Sequence, residues 1–128
     1  MGAKISIMFM IAGFAKAIMD TLQFHYSTSI FSNFKSQFWD PSVSWQNKYS
    51  NLDTLTTKKL FWNIPYPVFL TDAWHLFQFI FLNSIFLGIF ILLFVQIQSI
   101  QWIIITSIAE RIVFGLSFWA GYNILLKK

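Results

Sequence analysis

Residues 102–126 read WIIITSIAERIVFGLSFWAGYNILL. The run exceeds the roughly 20 residues that a helix needs to cross about 30 Å of hydrocarbon. Trp102 and Trp119 stand seventeen residues apart, about 26 Å along a helix. That spacing suits the two aromatic belts of a membrane span. Glu110 and Arg111 fall midway between them. A charge at that depth costs about 2.5–3.5 kcal/mol on insertion scales unless it is paired or hydrated. What these two residues pair with is therefore the first functional question.

The rest of the chain agrees with the reading of this stretch. It has 128 residues, enough for one domain, and is 56% hydrophobic with only 11% charged residues. Soluble domains carry about 25% charged residues. Mean hydropathy is +0.59. Two more apolar segments are long enough to span, at about residues 5–25 and 67–96, and the third covers about 100–126. A short polar turn around Gln96, Gln98, Ser99 and Gln101 joins the last two, which predicts an antiparallel hairpin. The fold expected is an all-α integral membrane protein, one domain over residues 1–128, with three transmembrane helices.

Residues 26–65 form the one sizeable polar region. Ile30, Phe31, Phe34 and Phe38 recur there at helical spacing, with Ser27, Ser29, Ser32, Lys35 and Ser36 between them. Ser27 or Thr28 can cap such a helix, and Asp40-Pro41 stops it. The pattern predicts a short amphipathic helix at the membrane interface. The same phenylalanines also suit packing on the protein's own helices, and both readings stay open. Pro65-Tyr66-Pro67 stiffens the approach to the second span.

The amino terminus imitates two processing signals. Met1-Gly2-Ala3-Lys4, the apolar run Ile5–Phe14 and Ala15-Lys16-Ala17 match a secretory signal with its cleavage site; we read the segment as a retained helix. Met1-Gly2 with Ser6 fits a myristoylation pattern, but a chain that already spans a membrane gains little from a lipid. Lys35, Lys48, Lys58, Lys59, Lys127 and Lys128 share one side, against Lys4 on the other. The positive-inside rule then puts segment 26–65 and the carboxyl terminus in the cytoplasm, with the amino terminus outside.

The first helix has charges of its own, Lys16 and Asp20. Ser6, Gly13, Lys16 and Asp20 fall within an arc of about 80°. On the third helix Thr106, Glu110, Ser117 and Gly121 fall within about 60°. The two stripes are expected to meet, with Lys16 facing Glu110 and Asp20 reaching Arg111 or Lys16. The four charges sum to zero, which makes them tolerable in hydrocarbon. Gly13, Ala17, Ser117 and Gly121 permit close backbone approach. Such a cluster can be a structural salt-bridge network, an ion or substrate path, or a subunit contact.

A second candidate site is polar and interfacial: His25, Asp72, His75 and Asn83. Asp72 and His75 share a face at i,i+3, a spacing used by metal ligands in helical bundles. They are the metal candidates, with His25 at similar depth. Asp72 equally serves as an acid near a helix N-terminus, where the dipole favours it. A third candidate is the loop Trp45, Asn47, Lys48 and Tyr49, which suits a sugar, phosphate, lipid-headgroup or partner contact as well as a compact interfacial loop. The stretches Ser44-Trp45-Gln46-Asn47-Lys48-Tyr49 and Phe69-Leu70-Thr71-Asp72-Ala73-Trp74-His75-Leu76-Phe77 resemble those of small uncharacterised bacterial membrane proteins. The resemblance implies no known activity.

Some chemistries are excluded. With no cysteine neither a disulfide frame nor thiolate catalysis is open to the chain. The net charge of +4 comes from scattered lysines, so nucleic acid is not an expected partner. No Gly-x-Ser-x-Gly and no phosphate-cradling glycine loop occurs. Three functions remain: a small oligomeric channel or transporter built on the charge cluster, a membrane enzyme acting on a lipid or headgroup at His25/Asp72/His75, and a structural or accessory subunit. The expected partners are membrane lipids and either further copies of the chain or the other subunits of a complex.

Overall fold

The computed structural model describes residues 2–34, 36–50, 60–61, 64–94 and 100–127. It has three long helices: α1 (Gly2–Phe24), α2 (Ala73–Phe94) and α3 (Ile100–Ala120). α3 runs on into a π-helical turn, Gly121–Leu125. Within them Ala3–Phe24, Ala73–Leu92 and Gln101–Leu125 are long and apolar enough to cross a membrane. The only sheet among the described residues is a two-residue antiparallel ladder, β1 (Leu60–Phe61) on β2 (Ile64–Pro65).

α1 is the core helix. Half of its apolar span is buried, against 11% for α2 and 6% for α3. Its small residues make this possible: Ala12, Ala15 and Ala17 are almost fully covered. On one side Phe9 and Met8 lie against Gly88 of α2. On another side Ser6 meets Glu110, Met10 meets Ser117, and Ala17 meets Gly121. Both residue series rise together along α1 and α3, so those two helices run parallel, with α2 antiparallel to them. The polar segment, the start of α2 and the end of α3 therefore share one end of the bundle.

The second span departs from expectation at its start. Pro67 opens a 3-10 turn, Val68–Leu70, and α2 begins only at Ala73. The reason is the cap: the Asp72 carboxylate accepts the His75 amide at 2.9 Å, satisfying one of the free N–H groups of the first turn. Gln101 belongs to α3 and not to a turn; residues 95–99 lie outside the described residues.

The amphipathic helix over 30–38 is replaced by separate 3-10 turns at Tyr26–Thr28 and Ile30–Asn33, with a further one at Ser44–Lys48. Serine side chains take up the local backbone. Ser29 Oγ donates to Tyr26 O at 2.8 Å and Ser32 Oγ to Ser29 O at 2.9 Å. Such bonds compete with a continuous helical ladder. The aromatic residues then pack inward. Phe31 joins a buried cluster with Ile18, Leu22, Ala73 and Leu126, and Phe38 and Trp39 pack against it. Trp39 stacks on Phe31 with ring centres 5.0 Å apart. Phe34 is the exposed member.

Among the described residues three hydrogen bonds fasten this segment to the bundle end. Ile30 N–H donates to Leu126 O at 3.1 Å, and Ala73 N–H to Phe38 O at 2.9 Å. Asn47 Nδ2 donates to Thr71 O at 2.8 Å. Residues 26–34 and 36–50 thus form a fitted cap on this end of the bundle.

Candidate functional site

The stripes on α1 and α3 do meet. Ser117 Oγ donates to Met10 O at 2.7 Å. A methyl group on Gly13 would overlap the Phe114 carbonyl oxygen, and one on Gly121 would lie 2.9 Å from Ala17 Cβ and Phe14 Cδ2. The helices therefore touch nearly backbone to backbone, the contact that small residues allow.

The charges pair only in part as expected: Asp20 reaches Lys16, but Lys16 does not face Glu110. Glu110 is buried, and its Oε1 accepts from Ser6 Oγ at 2.8 Å. Lys16 does not face it. In the observed register Lys16 is level with the Ala120–Gly121 turn, ten residues beyond Ser6, or about 15 Å along α1. Lys16 instead bonds Asp20 one turn on, within its own helix. Arg111 is exposed, and among the described residues it has no ion-pair partner. Its guanidinium lies 5.6 Å from the Phe114 ring centre. The four charges thus form one local pair and two separate residues, not one network. Thr106 bonds back to Trp102 O at 2.6 Å and stays outside the contact.

Among the described residues Glu110 has a single donor, so Ser6 is the test of that site. Ser6→Ala is expected to lower stability by about 1–2 kcal/mol, the cost of leaving a buried acceptor unmet. Thermal unfolding in detergent measures it; an unchanged midpoint would count against the Ser6–Glu110 bond.

The second candidate site divides in two. Asp72 is buried and engaged on both oxygens. Besides the amide cap, its Oδ2 lies 2.7 Å from His75 Nδ1 and accepts from Thr71 Oγ1 at 3.1 Å. His75 is half-exposed and edges against Trp74. The dyad opens on a cleft of about 310 Å³ that Gln23, Ser44 and Trp45 help to line. Gln23 was not singled out in the sequence, and Ser44, Thr71 and Trp74 entered only within the two stretches of resemblance, because only the folded cap gathers them.

His25 is not part of this group. It follows the last residue of α1 and lies against Tyr122 of the π-helical turn, ring centres 5.4 Å apart. Gln23 occupies the place beside Asp72 instead, and two residues on, a helix has turned about 200°. Asn83 donates to Phe79 O at 2.8 Å on an exposed face, two turns beyond His75. Among the described residues no group of three or more His, Cys, Asp or Glu could hold a metal.

The third candidate is a compact loop. Asn47 is spent on Thr71. Trp45 Nε1 donates to Ser42 O at 3.0 Å, and Lys48 Nζ sits 5.4 Å from the Tyr49 ring centre. Beside the loop a polar cleft of about 450 Å³ includes Tyr26, Gln37, Asp40 and Gln46. Burial, and then the Asp40 carboxylate, hold the Tyr26 phenol above its ordinary value of 10.0.

A raised phenol makes its contribution to stability in full below its unfolded value and loses it as pH climbs through the folded one. Wild-type protein is therefore expected to lose stability above about pH 10 more steeply than Tyr26→Phe. Alkaline unfolding curves of the two check this; superimposable curves would refute it.

Comparison of the chain with protein-family models, with curated proteins and with solved structures returned no match.

Proposed function

We propose that this chain is an integral membrane protein that crosses the bilayer three times and serves as a structural or accessory subunit of a membrane assembly. The outward faces of α2 and α3 support the membrane reading. Phe86, Leu87 and Phe90 are exposed on α2, as are Ile104, Ile108, Ile112 and Leu116 on α3. Apolar area of that extent belongs in lipid or against other helices. In the orientation we propose, the cap and the carboxyl terminus face the cytoplasm, in keeping with the lysine asymmetry.

The observation that carries the assembly reading is Arg111. It stands ten residues from Gln101 and fourteen from Leu125, the ends of the apolar span. Those distances are about 15 and 21 Å along the axis, beyond the reach of an arginine that snorkels to the headgroups. A lone exposed guanidinium at such depth is costly, and a carboxylate from a neighbouring helix removes the cost. A transport path has less support, because Lys16, Asp20, Glu110 and Arg111 do not line one channel.

The test is the mass of the protein purified in mild detergent, with cysteine-labelling of engineered single cysteines to fix topology. A complex larger than one chain is expected. A lone monomer whose Arg111→Leu variant behaves identically would overturn the reading. The Asp72–His75 dyad favours a second reading, headgroup chemistry at the membrane border. It predicts a headgroup-modifying activity, assayed on defined phospholipids, that His75→Gln abolishes; no turnover by wild type would remove it.

A further inference from the structure

We infer that the partner met by Arg111 is a second copy of this chain, docked so that Arg111 of each copy reaches the Glu110 carboxylate of the other. The inference rests on the assembly reading and names its partner. Glu110 leaves one oxygen unmatched: Oε2 is fully buried with no hydrogen-bond partner among the described residues. Arg111, the next residue, is exposed and has no carboxylate among the described residues. Both line one groove of about 390 Å³ between α2 and α3, with Phe81, Ile85, Ser107 and Phe114 among its other walls.

An unmatched acid and an unmatched base on one surface make that surface self-complementary. A two-fold interface requires that residue i of one copy meet j of the other while j meets i. Glu110 and Arg111 satisfy this, because neighbours in sequence point about 100° apart on a helix and do not face each other. One stays at the groove wall while the other projects outward. The projecting guanidinium offers several coplanar N–H donors, and a turn of the Glu110 carboxyl presents Oε2 to them. The paired charges are neutral and leave Ser6 on Oε1.

A foreign helix would have to supply both an acid and a base at matching depth, and this chain already carries both. Its other described acids are engaged: Asp20 with Lys16, Asp40 with Ser42, and Asp72 with His75.

The test uses two differently tagged copies of the full chain expressed together in membranes. Arg111→Leu keeps only the acid and Glu110→Gln keeps only the base. Either variant with itself is expected to co-capture at least about tenfold less than wild type, the scale of a lost hydrogen bond to a charged group. The two variants together re-form one of the two pairs, and co-capture should recover. Recovery supports exchange between copies; a mixture no better than either variant alone overturns it.

The chain has no cysteine, so Ser107→Cys in otherwise wild-type protein gives an independent readout. Oxidation is expected to cross-link two copies across the groove, and a failure to cross-link overturns the proposal. Monomers that co-purify with a different chain would end this inference and keep the assembly reading. Monomers alone would end both.

Discussion

Gly13→Ala is expected to destabilise the bundle by about 3 kcal/mol, the upper end of what overpacking costs, while Gly115→Ala leaves it unchanged or slightly more stable. The two glycines differ only in surroundings. A methyl group at Gly13 runs into the Phe114 carbonyl oxygen and lies 3.1 Å from Ser117 Cβ, whereas at Gly115 nothing lies within 4 Å. The obstacle at Gly13 is backbone, which cannot step aside as a side-chain tip can. Relief requires α1 and α3 to separate along the whole contact. Separation also lengthens the Ser117–Met10 and Ser6–Glu110 hydrogen bonds, which lie on the same contact. At Gly115 the added methyl only removes backbone freedom, worth up to about 1 kcal/mol in a helix. Thermal unfolding of both variants, followed by helical circular dichroism, decides the matter. Equal midpoints would mean that α1 and α3 are not in backbone contact.

The same contact explains what could be read from the chain and what could not. Span length and apolarity are local properties, and the three helices follow from them. The small and hydroxyl residues at helical spacing on residues 6–17 and 110–121 also marked the two faces that meet. Their register was not legible. Counting depth from Lys4 places Lys16 opposite Glu110, as charge pairing alone would suggest. Steric fit decides otherwise: Gly13 admits Phe114 and Gly121 admits Ala17, which slides Glu110 up to Ser6 and leaves Lys16 to Asp20. Shape sets the offset here, and charge adapts to it.

The polar segment shows a second limit. Ile30, Phe31, Phe34 and Phe38 have the spacing of an amphipathic helix, yet serines between them bond their neighbours' carbonyls and break the ladder into turns. Periodicity records which residues want burial, not which backbone delivers them. The Asp72–His75 spacing was legible as one shared face. Its meaning was not, because cap and metal ligand demand the same residue types; the capping bond at the His75 amide shows that Asp72 performs the first. His25 was placed at the right end of the bundle but not on the right side of it, since it follows the last helical residue of α1.

That cap leads to the other large effect expected. Asp72→Ala should cost about 2–3 kcal/mol, the sum of a lost N-cap and of a lost buried bond to a side chain it orients. Asp72→Asn should cost less than half of that. Asparagine caps helices about as well as aspartate, and its carbonyl oxygen still takes the His75 amide. What it gives up is the second carboxylate oxygen, which now holds both His75 Nδ1 and Thr71 Oγ1. Thr71 has a fallback, for its hydroxyl also reaches Val68 O at 2.7 Å. His75 has none among the described residues, so its Nδ1 keeps a partner only as the acceptor of the new amide N–H.

The two variants therefore separate the two jobs of one residue. Hydrogen exchange at the His75 amide should speed up in Asp72→Ala and stay slow in Asp72→Asn, while the imidazole resonances shift in both. Because Asn47 holds the loop to Thr71 at the same corner, fraying of the first turn of α2 should also loosen residues 44–48. If Asp72→Asn destabilises as much as Asp72→Ala, the carboxylate charge rather than the cap anchors this end of the bundle. The dyad would then be the reason for the cap and not a consequence of it.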